Sequence, residues 1–174
     1  HRGAETTMDI SADLEELAKT PVAVVCAGVK SILDLGLTLE YLETRGVPVV
    51  GYQTDVLPAF YTNESKHAVP LRADNPEALA RMITAQRQLD YPGGMLIANP
   101  IPAQHAMPAE AIERTIQQAL ADAEQANIRG KDTTPYLLAR IVELTQGASL
   151  KSNIQLVLNN VALAAQVAAA MVKN

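Results

Sequence analysis

The sequence predicts an α/β chain, a layered α/β/α domain around a mostly parallel or mixed sheet. Three observations carry this. Short apolar runs, Val-rich in the first two, stand at residues 22–26, 47–51 and 95–98. Longer segments between them repeat apolar residues every three or four positions, the period of a helix with one buried face. Pro, Gly, Asn and Ser fall at the joints, where chain reversals need them. Alternation of this kind favours parallel strands linked by helical crossovers, and ligands then sit at the carboxyl ends of the strands.

In chain order, Ser11 is placed to cap a helix running to about Lys19, with Leu14 and Leu17 on one face and Pro21 as its stop. Val22 to Cys26 reads as a strand buried on both faces. Ala27-Gly28-Val29 turns into a second helix, for which Ser31 with Asp34 three residues on resembles a capping box. Ile32, Leu35, Leu39 and Leu42 follow at helical spacing, and Gly46 ends that helix. Val47 to Gly51 is the next strand, Tyr52 to Lys66 a long loop, and Val69 to Arg72 a short strand. Asn75-Pro76 supplies an N-cap and first-turn proline for a helix to about Leu89. Gly93-Gly94 turns into a strand over Met95 to Ala98, which Asn99-Pro-Ile-Pro102 closes. Helices are expected from about Pro108 to Ala126, from Thr134-Pro135 to Gly147, and from Ser149 to about Val172.

A chain of 174 residues, 48% hydrophobic and with mean hydropathy +0.05, is long enough to bury one core, and we read it as a single domain over residues 1–174. A net charge of −5 gives the wrong sign for a phosphate-backbone groove, and 3% aromatics leave little for base stacking, so no nucleic-acid partner is expected. The single cysteine, Cys26, excludes a disulfide framework and reads as a small core residue of a reducing compartment, the cytoplasm. Val161 to Val172, interrupted by Gln166, reads as too short to span a bilayer, so no membrane partner is expected either. The chain opens His1-Arg2-Gly3 without an initiator Met, and an interior start within a longer protein is expected.

Lys30 is the sharpest candidate for chemistry. It follows a buried strand and precedes the Ser31 cap, and both burial and the positive end of a helix disfavour an ammonium. A neutral amine is a nucleophile suited to imine formation, whereas the plain alternatives are a surface lysine or a phosphate anchor. Asp9, Ser11 and Asp13 form a second cluster, fit either for a partly hydrated divalent cation or for ordinary capping and dipole compensation. His1, His67 and His105 lack metal-ligand spacing. Asn153, in what the sequence places as the first turn of the last helix, stands with Lys151 where helix amides can hold an anion. Asn159 and Asn160 interrupt the same helix as buried hydrogen-bonders or as its solvent face.

Seven stretches then acquire a common meaning. His1-Arg-Gly-Ala4, Asp9-Ile-Ser-Ala-Asp-Leu14, Cys26-Ala-Gly-Val-Lys-Ser-Ile-Leu-Asp34, Thr38-Leu-Glu-Tyr-Leu-Glu-Thr44, Gly46-Val-Pro-Val-Val-Gly-Tyr52, Asn99-Pro-Ile-Pro102 and Ser149-Leu-Lys-Ser-Asn153 resemble, in order, the C-terminal part of the pseudouridine-5′-phosphate glycosidases. The resemblance implies a fold incomplete relative to the full enzyme. It implies reversible cleavage of the C–C glycosidic bond of pseudouridine 5′-phosphate to uracil and ribose 5-phosphate, in pseudouridine catabolism. It implies Lys30 as the Schiff-base nucleophile, Asp9 as ligand to a divalent metal, usually Mn²⁺, and Ser11, Ala12 and Asp13 as substrate contacts. His1 and Asn153 match further positions of the site. The family's amino-terminal part supplies a general-acid Glu and a substrate-binding Lys, so this chain alone is expected to be inactive. A homo-oligomer, a trimer, is the implied assembly. The competing readings are a noncatalytic sugar-phosphate-binding domain and an inactive piece that needs its other half.

Overall fold

The computed structural model describes residues 1–63 and 65–173. Strands β1 (Ala23–Cys26), β2 (Val49–Tyr52), β3 (Leu71–Ala73) and β4 (Met95–Ala98) form one four-stranded sheet in the order β1-β4-β2-β3. Every pairing in it is parallel, with Val24 opposite Leu96 and Val50 opposite Ile97. The fold is thus α/β, as the alternation predicts. Helices are α1 (Ala4–Thr7), α2 (Ala12–Lys19), α3 (Leu35–Thr44), α4 (Pro76–Gln88), α5 (Ala109–Gln125), α6 (Thr133–Leu144) and α7 (Ala148–Lys173).

Successive strand residues face opposite ways, and the two faces make separate cores. Val50, Met95 and Ile97 pack with Leu79 and Ile83 of α4 and with Leu163 and Val167 of α7. Val49, Leu96 and Ala98 pack with Leu42 of α3 and Leu17 of α2. Each such Leu or Ile taken fully out of water contributes roughly 1.5–3 kcal/mol. Helices α5 and α6 pair beside this sandwich through Ile112, Ile116, Leu137 and Ile141, on Ile32 and Tyr61.

Local chemistry sets the boundaries the sequence predicts well. Ser11 Oγ accepts from the Asp13 amide at 3.2 Å, and Asn75 Oδ1 from Ala78 at 2.8 Å, with Pro76 in the first turn. Gly46, at φ +71°, ends α3. Glu15 locks α2 to α3: Tyr41 Oη donates to it at 2.6 Å, Arg45 Nη2 at 2.6 Å, and Lys19 Nζ lies at 3.2 Å. The Tyr41 hydrogen bond first, then the two cations, hold its carboxyl below the usual range. A lowered folded-state value means this network stabilises while Glu15 is ionised and is lost as pH falls through the acid range. Urea midpoints measured across acid pH should therefore drop less steeply in Glu15→Gln than in the parent.

Four expectations need correction. Helix α3 starts at Leu35, capped by Asp34, whose Oδ1 accepts from the Leu37 amide at 2.9 Å; Ser31 does not cap it. The Ser31 hydroxyl instead donates to the Ala59 carbonyl and is buried. Strand β1 is half-buried along its length rather than buried on both faces, because it lies at the edge of the sheet. A left-handed Gly3 opens a short helix, α1, that the sequence reading does not contain. Finally, Ala148–Val172 is long and apolar enough, by length and composition, to cross a membrane, so the apolar run is not confined to Val161–Val172.

Candidate active site

The loop from Ala27 to Ile32 leaves the carboxyl end of β1 and carries Lys30, which is half-buried. The loop's path is fixed from three sides. The Asn99 amide donates to the Cys26 carbonyl at 2.7 Å, Gly28 bridges to Ala59, and the Phe60 amide donates to the Ala27 carbonyl at 3.0 Å. Residues 58–60 of the long loop thus act as its floor. Because α3 begins five residues after Lys30, the argument from a helix N-terminus beside that amine does not hold. What presents Lys30 is a short turn closed by the Leu33 amide on the Lys30 carbonyl, 2.8 Å.

Burial pushes the neighbouring Cys26 thiol up to about 11. It stays a neutral core thiol, as the sequence suggests, and does not compete as a nucleophile.

The N-terminal segment folds back over itself. Helix α1 with left-handed ends at Gly3 and Met8 returns the chain, so that His1 Nδ1 lies 3.1 Å from Asp9 Oδ1 and 3.1 Å from the Asp9 carbonyl. Ser11 starts α2 two residues on, with Ala12 and Asp13 exposed in its first turn. Arg2 then ties this segment to the Lys30 loop: Nε donates to the Ile32 carbonyl at 3.0 Å and Nη2 to the Ser31 carbonyl at 2.9 Å. The segment holding His1, Asp9, Ser11, Ala12 and Asp13 is thereby anchored on the two residues that follow Lys30. Arg2 is the residue that sequence reasoning missed. A cleft of about 460 Å³ opens beside the fork, lined by Arg2, Ser31, Asp34, His67 and Glu113 among others. A larger groove of about 660 Å³ lies elsewhere, at the amino end of β2 between α3 and residues 66–70.

Asn153 comes from α7. The helix starts at Ala148, so Asn153 is in its second turn, not its first. The amides that would make an anion site are already engaged: Ser149 N donates to Thr145 Oγ1 at 3.2 Å and Lys151 N to the Gly147 carbonyl at 3.2 Å. One turn on, Leu156 packs with Ala27 and Ile101. Asn160 Oδ1 accepts from the buried Asn99 at 3.0 Å, and Asn159 Nδ2 donates to the Pro100 carbonyl at 3.1 Å. Both asparagines are hydrogen-bonders, and they fix α7 against the carboxyl ends of β1 and β4.

For a metal, the described residues offer no cluster of three His, Cys, Asp or Glu side chains. Asp9, with half of its side chain open to solvent, fits a hard cation held by one carboxylate and completed by water.

The fork at Arg2 carries a prediction. Two parallel N–H groups reach two successive carbonyls, a geometry that an ammonium cannot copy. Arg2→Lys and Arg2→Ala should both raise KM and lower turnover by about 10-fold or more in a protein of the relatives' full length. A Lys that restores full activity would show that only charge is needed there.

Comparison with known proteins returns the relatives that the motifs suggest. Residues 1–170 match the family described as indigoidine synthase A like protein. A pseudouridine-5′-phosphate glycosidase of Hahella chejuensis is 58% identical over 169 residues, covering 97% of this chain and 56% of its own length. One from Escherichia coli is 58% identical over 168 residues, 97% of this chain and 54% of its own. A crystal structure of a prealnumycin C-glycosynthase in complex with ribulose 5-phosphate superposes with TM-score 0.91 at 41% identity, over 98% of this chain and 56% of that one. An indigoidine synthase A-like protein of Thermotoga maritima superposes with TM-score 0.83 at 34% identity, over 92% of this chain and 53% of that one. The chain spans about half the length of the curated relatives it matches. With motifs, fold and family pattern agreeing from His1 nearly to the last residue, the chain belongs to the indigoidine synthase A-like family.

Proposed function

We propose that this chain is the nucleophile-bearing half of a pseudouridine-5′-phosphate glycosidase, which cleaves a C–C glycosidic bond to give uracil and ribose 5-phosphate. The observation that supports this most is the Arg2 fork, which fastens the His1–Asp13 segment to the turn that presents Lys30. Relatives named for this activity at 58% identity support the substrate.

A C–C bond has no glycosidic oxygen to protonate, so the two-carboxylate scheme of O-glycosidases does not serve. The Lys30 amine adds to C1′ of the ribose, and the C1′–O4′ bond breaks with a proton delivered to O4′. Protonation of uracil at C5 follows. The nitrogen lone pair then forms the C=N bond as the C1′–C5 pair leaves to neutral uracil. Water adds to the imine and releases ribose 5-phosphate and the free amine. The protons require a general acid. The resemblance places that Glu, and a substrate-binding Lys, in the part of the relatives outside this match. In this reading Ser11 to Asp13, His1 and Asn153 hold and orient the small-molecule substrate. Asp9 is the carboxylate that would hold Mn²⁺, and the cation, when bound, would supply positive charge to offset that of the anionic substrate. We place the enzyme in the cytoplasm, acting as a homotrimer in pseudouridine breakdown.

Two experiments test this. Uracil release from pseudouridine 5′-phosphate should be at background for the 174-residue chain and robust once the rest of the relatives' length is joined to it. Robust release by the chain alone would place the general acid within it. In the longer protein, Asp9→Asn should abolish the response to added Mn²⁺ and cut turnover about 100-fold or more. A variant still activated by Mn²⁺ to the parental level would remove Asp9 from the metal site.

A further inference from the structure

We propose that the outward face of α7 and the open edge of β1 together seat the part of the family's chain that lies outside this match, whether it arrives on the same polypeptide or on another. The inference concerns packing and stands apart from the reaction proposed above.

Helix α7 is apolar on two sides. Leu156, Leu163, Val167 and Ala170 are buried. On the other side Leu150, Ile154, Val157, Leu158, Val161 and Val172 are between 49% and 89% exposed. They recur at three- and four-residue steps through Val161, and no charged residue stands between Lys151 and Lys173. A helix apolar all round belongs in an interior, and a stripe this long is not an ordinary water-facing surface.

The neighbouring strand shows the same incompleteness. The sequence of β1, Ala-Val-Val-Cys, is that of a strand covered on both faces, yet it is half-buried and, among the described residues, hydrogen-bonds only to β4. Among the described residues its other edge has no strand neighbour, the position at which a further strand can pair. Helix α7 packs on β1 as well as on α4. A sheet continued past β1 would therefore run beside the outward face of α7, and one added strand–helix unit would cover both exposures. The relatives have the length for it, since this chain covers only 56%, 51% and 54% of the length of three of them.

Two other occupants fit less well. A bilayer would have to take a helix whose Leu163 and Val167 are packed on Val50 and Ile97 of the sheet. A second copy on a two-fold axis would set β1 against itself antiparallel, whereas the sheet is parallel throughout.

Val161→Lys tests this in two settings. Val161 points outward, so the substitution should leave the Tm of the 174-residue chain within about 1 °C. In the chain joined to the rest of the Escherichia coli relative's sequence it should lower Tm by about 5 °C or more. The second arm introduces Lys at the aligned position of the natural-length relative itself, with the same drop expected. Deuterium exchange in peptides of β1 and α7 should also be slower in the longer proteins than in the chain alone. Equal Tm effects in both settings, or equal exchange, would overturn the proposal. So would dimers of the 174-residue chain in sedimentation velocity that Val161→Lys dissolves, or flotation with phosphatidylglycerol–phosphatidylethanolamine liposomes that it abolishes.

Discussion

Borohydride reduction in the presence of ribose 5-phosphate is expected to fix a pentose phosphate on Lys30, and peptide mapping of the full-length protein should find it nowhere else. Lys30 is half-buried on a turn whose carbonyl is already engaged by the Leu33 amide, so its backbone is held in place. The competing nucleophile at the same strand end, Cys26, is a protonated thiol held up to about 11. Removing the amine removes the covalent path, so Lys30→Ala should lose turnover by roughly 10³-fold or more while still binding substrate. Lys30→Arg should fail equally, because a guanidinium keeps its charge and cannot form the imine. Other lysines, Lys66 and Lys131 among them, serve as internal controls. A pentose mass on either, or on none while the enzyme turns over, would take the nucleophile away from Lys30.

The place of Lys30, just past the carboxyl end of a strand, was legible because local patterns decide it. A short apolar run followed by Ala-Gly marks the carboxyl end of a strand, and the strand ends where the pattern puts it. Caps with a single good candidate were legible too, as at Asn75-Pro76 and Ser11. Ser31 and Asp34 were not, since either can cap a helix and they stand three residues apart. The choice is made by the Ala59 carbonyl, 28 residues away, which takes the Ser31 hydroxyl. Arg2 was invisible for the same reason: its partners are backbone carbonyls 29 and 30 residues on, and a carbonyl carries no sequence signal. Asn159 and Asn160 broke the apolar run of the last helix in the sequence. In the structure Asn99 and the Pro100 carbonyl satisfy them, so the rest of that helix keeps its apolar character on both sides.

Gly28→Ala should be among the most damaging single substitutions in the chain, although it adds only a methyl group. Gly28 has φ +80°, where an L side chain is strained, at a cost of roughly 1–2 kcal/mol. The larger effect is steric. A Cβ at Gly28 would lie 1.7 Å from the Pro58 carbonyl oxygen and 2.7 Å from its carbon, and both are backbone, so no side-chain rotation relieves the clash. Either the Lys30 loop or its floor must move. The Gly28–Ala59 bridge and the Phe60 to Ala27 hydrogen bond then go with it. We expect a loss of roughly 3–5 kcal/mol in urea unfolding. In the full-length protein, turnover should fall about 100-fold even where the fold survives, since a displacement near 1 Å at the proposed nucleophile suffices for that. Gly147→Ala separates the two causes. Gly147 has φ +83°, nearly the same backbone strain, but nothing stands within 4 Å of its Cβ position. That variant should lose only the 1–2 kcal/mol of the left-handed conformation and leave turnover near the parental value. If the two variants unfold at the same urea concentration, the contact with Pro58 is not what fixes the Lys30 loop.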